Sequence, residues 1–210
     1  TAYTGGAVRY PPTVAGGRAY VGSGDGWAYA FDATTGQLVW RFRAAPQDRR
    51  IPVYGQLVST WPAASGVLVQ DGVAYVAAGI VNYDGTHVYA LDAATGRLKW
   101  QNNATGHLDP EANTGVSVQG HFLFHGGALY LAGGNAVSPA VFDPATGQCR
   151  NDPQQLRQTV NNNVPAALAP RGAELFRVEN QVLVSGKPLY SHPQYPVYDS
   201  SVLNKALVAS

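Results

Sequence analysis

Ala30-Phe-Asp-Ala-Thr-Thr-Gly-Gln-Leu-Val-Trp40 returns further along the chain as Ala90-Leu-Asp-Ala-Ala-Thr-Gly-Arg-Leu-Lys-Trp100. The shared positions are Asp32, Thr35, Gly36 and Trp40 in the first copy and Asp92, Thr95, Gly96 and Trp100 in the second. A worn third copy keeps Asp143, Thr146 and Gly147 but has Asn151 where tryptophan is due. A phrase that returns in this way marks one supersecondary unit used several times, which decides the architecture.

Each copy sits at the same place in a longer pattern. Upstream of the phrase lie Arg18 to Gly22 and Trp27 to Phe31 in the first unit, and Val73 to Ala77 and His87 to Leu91 in the second. The third unit has Ala128 to Ala132 and Pro139 to Phe142. Downstream runs Gln37 to Phe42 and Arg97 to Trp100, and a leading run precedes each set at Val8 to Val14, Gly66 to Gln70 and Gly120 to Phe124. Short β-branched and aromatic runs cut by Gly and Asp-Gly read as strands in hairpins. Four antiparallel strands per unit result, and no useful helical period occurs.

The turn chemistry is specific. Asp32 and Asp92 can accept hydrogen bonds from amides two or three residues on. Gly36 and Gly96 supply the positive φ of a tight hairpin. Trp40 and Trp100 then fall on the outer strand, where a flat ring can cover the neighbouring sheet. Twisted four-stranded sheets stacked radially make an all-β propeller.

These residues resemble the tryptophan-docking repeat of the pyrroloquinoline-quinone-type β-propellers, over about residues 8 to 150. The organisation expected is a single partial propeller domain over 1–210, with blades at about 8–42, 62–102 and 117–150. Residues 151–210 then form a connector and a degenerate fourth blade, with a hairpin of Glu174 to Val178 and Gln181 to Ser185. Propellers have roughly 4–8 blades, so a longer chain with further blades is expected. The resemblance also implies a bacterial periplasmic or extracellular address.

Charged residues make up only 13% of the chain and hydrophobic ones 45%, which is a globular balance with ample core. A net charge of +1 points to neither nucleic acid nor a membrane surface as partner. No apolar stretch approaches the roughly 20 residues of a membrane-crossing helix. Cys149 is the single cysteine, so no internal disulfide can form.

In a four-stranded meander, the link from second to third strand and the link to the next unit share one sheet end. The Asp-x-x-Thr-Gly turns lie at the other. The long segments, Arg41 to Thr60, Ala77 to Asp84, Gln101 to Gly115 and Asn151 to Arg171, are all of the first kind. Long loops are usually functional, so the elaborated face is where binding is expected.

That face offers two groups of residues. Arg41, Arg43, Arg49 and Arg50, with Tyr54 and Trp61 nearby, could clamp a carboxylate, sulfate or phosphate beside an aromatic ring. A solvated loop with local ion pairs is the plainer reading of the arginines, and core packing that of Trp61. His107, Asp109, Glu111 and Asn113 are the densest set of possible metal ligands, but they lack the spacing of a calcium loop. A polar loop is the plainer reading there too. His121 and His125 share a strand face and read as strand-end residues. No nucleophile elbow, phosphate loop or dinucleotide fingerprint occurs.

The function expected is a non-catalytic scaffold whose long-loop face docks a protein, a glycan or other parts of the same chain, with no cofactor. The resemblance also implies an alternative, a quinoprotein alcohol or sugar dehydrogenase with pyrroloquinoline quinone and calcium. Its relatives hold the cofactor under a disulfide of adjacent cysteines and ring the metal with Glu, Asn and Asp. A third reading is an accessory domain of an extracellular carbohydrate-active enzyme.

Overall fold

Tight turns between apolar runs leave each run one convenient partner, the run just before it. The computed structural model describes residues 1–108, 115–133, 137 and 139–151, together with the backbone of three short strands beyond them. Strands β1 (Thr13–Ala15), β2 (Arg18–Gly22), β3 (Trp27–Asp32) and β4 (Leu38–Arg43) form one antiparallel sheet in chain order. A separate hairpin follows, β5 (Arg50–Val53) with β6 (Gln56–Ser59). The second sheet holds β7 (Val67–Gln70), β8 (Val73–Ala78), β9 (His87–Asp92) and β10 (Leu98–Asn102). The third holds β11 (Phe122–His125), β12 (Ala128–Leu131) and β13 (Ala140–Phe142). Backbone strands β14 (Leu175–Val178), β15 (Gln181–Val184) and β16 (Lys187–Pro188) pair in a further small sheet. The sheets are blades of a β-propeller.

Two expectations are corrected. The first inner strand does not span Val8 to Val14: it is Thr13–Ala15, preceded only by a bridge between Val8 and Ser23. Pro11 and Pro12 have no N–H to give to a ladder. The segment Arg41 to Thr60, expected as one long loop, instead folds β5 and β6. Its turn is Tyr54-Gly55, with φ of 46° and 79°, the two positive values of the primed turn that suits a twisted ribbon.

The repeated turns are built alike. The Asp32 carboxylate accepts from the amides of Thr34 and Thr35 and from the Thr35 hydroxyl, at 3.0, 2.7 and 2.9 Å. Asp92 accepts from the amide and hydroxyl of Thr95 at 2.8 and 2.7 Å, and Asp143 from the amides of Ala145 and Thr146 at 2.9 and 3.0 Å. In each the glycine amide donates back to the aspartate carbonyl at 2.8 Å. The Thr35 amide and hydroxyl hold the Asp32 carboxyl below its ordinary value, and the Thr95 hydroxyl and amide do the same for Asp92. For Asp143 the Arg150 guanidinium at 2.8 Å acts first, and the carboxyl falls from 3.8 to about 2.

The core lies between sheets. Ala74, Val76 and Ala78 of β8 with Tyr89 and Leu91 of β9 pack on Tyr20, Ala28, Ala30 and Trp40 of the first sheet. The alternate residues, Tyr75, Ala77, Val88 and Ala90, pack on Phe122, Leu129, Leu131 and Phe142 of the third. Period two thus sends neighbouring residues to opposite faces, and both faces are buried. Alanine at many of these positions lets the sheets approach closely enough for one large ring to fill the gap.

That ring is the outer-strand tryptophan. The Trp40 indole N–H donates to the Ala93 carbonyl at 3.0 Å, and the ring lies flat on Gly96, where a Cβ would stand 2.8 Å from it. Trp100 repeats the arrangement on the third sheet, donating to Pro144 at 2.9 Å and covering Gly147. Tyr20 and Tyr75 on the second strands donate to the same two carbonyls, at 3.0 and 3.3 Å. Each sheet therefore holds the next through one turn. In the third sheet the outer strand shrinks to a bridge between Phe142 and Cys149. There Asn151 uses its side chain in place of a strand, accepting from the Val141 amide at 2.8 Å and donating to the Pro139 carbonyl at 3.3 Å.

Trp40→Ala should destabilise the chain by about 3–5 kcal/mol, as for other large rings removed from a core. Trp40→Phe, which keeps much of the ring and loses the N–H, should cost about 1 kcal/mol. Urea unfolding of both variants checks this ordering. The lowered Asp143 carboxyl stabilises the fold fully above about pH 4, and that contribution fades as pH falls toward about 2. Asp143→Asn should accordingly lose less stability than the parent across that window, read as urea midpoints at its two ends.

Candidate functional site

The elaborated end of the sheets carries the β5–β6 hairpin, the 3-10 turns Asn82–Asp84 and Thr105–His107, and the lead-ins to the inner strands. The hairpin is braced at its base. Ser59 donates its amide to the Gly24 carbonyl at 2.9 Å, and Thr60 to the Arg49 carbonyl at 3.0 Å. The Arg49 guanidinium lies 4.4 Å above the Trp61 ring, donates to the Thr60 hydroxyl at 3.1 Å and faces Asp84 at 3.8 Å. Trp61 is buried, donates its indole N–H to the Asp84 carbonyl at 2.6 Å and meets His87 edge-on at 6.4 Å. Burial lowers the His87 imidazole below its ordinary value.

The sequence-derived candidates separate on this face. Arg50 pairs with Asp48 at 2.9 Å, while Arg43 sits opposite Trp27 in the β3–β4 ladder. Arg41 lies 4.8 Å over the same Trp27 ring. The arginines thus hold different partners. Tyr54 stands fully in water at the hairpin tip. His107 is exposed on its 3-10 turn, and its amide donates to Ala104 at 3.1 Å. Asp109, Glu111 and Asn113 lie outside the described residues. So does most of the connector from Asn151 to Arg171.

One polar centre escapes sequence reasoning. Asp25, a hairpin-turn residue by sequence, is buried and accepts from the Gly5 and Trp27 amides at 2.9 and 3.0 Å and from the Tyr29 hydroxyl. Burial, then the bond to Asp25, pushes the Tyr29 phenol up to about 12. The Asp-Gly dipeptide by itself signals only a turn, and it is the folding back of this hairpin that brings the Tyr29 hydroxyl onto the carboxylate.

Around the propeller axis, β1, β7 and β11 stand side by side. They enclose a cavity of about 460 Å3 lined by Tyr10, Thr13, Ser65, Val67, His121 and Phe122, among others. Tyr10 and His121 meet edge-on at 5.8 Å. A calcium-bound quinone would need carboxylate and amide oxygens here, and this lining supplies neither. Among the described residues no three His, Cys, Asp or Glu side chains come together. Cys149 is the chain's one cysteine, so it cannot form a disulfide of adjacent cysteines. The described residues that line this cavity do not fit that cofactor. The Cys149 thiol lies 3.4 Å from the Asn151 side-chain oxygen, and burial pushes it up to about 11.

The family model described as outer membrane protein assembly factor BamB matches residues 2–189. Among solved structures, quinohemoprotein alcohol dehydrogenase ADHIIG from Pseudomonas putida HK5 aligns at 20% identity and a TM-score of 0.50, over 66% of this chain and 25% of that one. The quinohemoprotein alcohol dehydrogenase of Comamonas testosteroni aligns at 24% identity and 0.51, over 70% and 21%. At these identities the likeness shows the fold alone. The chain spans a quarter or less of the length of either enzyme. No curated protein matches the sequence.

A thiol raised by burial is a poor nucleophile at neutral pH. Cys149 should therefore resist a maleimide or a disulfide reagent at pH 8 in the folded chain and react at once in denaturant. Equal rates in both conditions would refute the shielding of this half-buried thiol.

Proposed function

This chain belongs to the PQQ-like propeller family of the outer membrane protein assembly factor BamB, and we propose that it serves as a rigid, non-catalytic module that docks a protein partner on its long-loop face. The observation that carries this reading is the β5–β6 hairpin. Ile51, Leu57 and Tyr54 stand 41%, 63% and 103% exposed on a ribbon whose base is fastened to the propeller. Large apolar groups held in water gain about 25 cal/mol for each Å2 that a partner covers. Because the base is already ordered, little further entropy is lost on docking. An aromatic at the tip matches the residue type that dominates protein interfaces. The family's name speaks of outer membrane protein assembly, and a periplasmic or extracellular address goes with it.

Photo-crosslinking tests the reading. A photoreactive residue at position 54 should yield a discrete adduct in extracts of the native compartment, and one at the exposed Thr34, on the trimmed end, should not. Tyr54→Glu with Leu57→Glu should weaken capture of that partner at least about tenfold while leaving the melting temperature unchanged. Adducts from position 34 alone, or capture unaffected by the double variant, would overturn it.

A further inference from the structure

A second, smaller cavity of about 270 Å3 opens on the long-loop face where the lead-ins of all three sheets meet. Arg9 comes from the lead-in to β1, Pro62 and Ala64 from that to β7, and Val118 and Gln119 from that to β11. Ile80, from the link between β8 and β9, and Tyr10, beside Arg9, complete the wall. Four of these seven are aliphatic. Three backbone and side-chain groups of the wall are already committed: the Pro62 carbonyl accepts from Gly79 and Ala64, and the Gln119 side-chain amide donates to the Ile80 carbonyl at 2.7 Å. The pocket shape is therefore held by its own hydrogen bonds.

Arg9 is the one charged residue of the lining, and it pairs with no carboxylate among the described residues. A lone guanidinium beside an apolar wall selects an anion with an apolar body, and its fork of donors suits a carboxylate. The volume is below the roughly 300–1,000 Å3 of pockets for drug-sized ligands, and suits something the size of one amino-acid residue. The geometry points to a binding site for a carboxylate carried on a branched aliphatic group, with the carboxylate on Arg9 and the aliphatic group against Pro62, Ala64, Ile80 and Val118. Either the C-terminal residue of a peptide or a free short-chain acid presents that chemistry. The site is distinct from the β5–β6 hairpin and does not depend on a partner docking there.

The test is titration of the full chain, followed by amide NMR shifts, with acetyl-Gly-Gly-Leu, its C-terminal amide, and 4-methylpentanoate. The free-acid peptide should saturate shifts at Ile80, Val118 and Gln119, and the amide should bind at least about tenfold more weakly. Arg9→Gln should remove that preference for the acid without altering the rest of the spectrum, since Arg9 is exposed. Ile80→Asp, which adds a negative charge to the wall, should abolish binding of the acid. Equal affinity for the peptide and 4-methylpentanoate would assign the site to free acids, and tighter peptide binding to chain ends. Acid and amide binding alike, or no saturable shift at these residues, would overturn the site.

Discussion

One carbonyl oxygen, that of Ala93, receives both the Trp40 indole N–H and the Tyr20 hydroxyl, and the Pro144 carbonyl is used the same way by Trp100 and Tyr75. Everything radial in the molecule hangs on this arrangement. A sheet with two apolar faces has no reason to choose one neighbour orientation over another on burial alone. Two donors meeting one acceptor fix the distance, tilt and register between sheets. The acceptor is itself immobilised, because it lies inside a turn closed by an aspartate and a threonine. Local turn chemistry and long-range packing are thus one structure.

This division of labour leaves the two ends of the sheets unequal. At the turn end the Ala93 and Pro144 carbonyls are committed to holding sheets together, and the segments are short. At the other end the links are free to lengthen, and they carry the braced hairpin, the buried Trp61 and both cavities. Rigidity comes from one end and room for longer segments from the other.

Much of the fold was legible because the repeat states its own geometry. Asp32, Thr35, Gly36 and Trp40 each act where their chemistry predicts, and so do their counterparts in the second copy. Strand ends were less legible. Pro11 and Pro12 cut the first inner strand short. The β5–β6 hairpin hid behind an arginine-rich stretch, although Val-Tyr-Gly-Gln between apolar runs is a turn signal. The site was harder still. Asp25 and Tyr29 are close in sequence, but Asp-Gly reads first as a turn, and Arg9 meets Pro62 and Ile80 only through the stacking of one sheet on the next. That second kind of meeting leaves no trace in local sequence.

Pro52 stands in β5, facing Leu57 across the ribbon. An isolated two-stranded ribbon in water has two open flanks, and a chain with two sticky flanks can polymerise end on end. Proline has no hydrogen to offer on its flank, so β5 is a poor template for a further strand. On the β6 flank the Ser59 amide is already given to the Gly24 carbonyl, so neither edge of the ribbon presents a full row of donors to a stray strand.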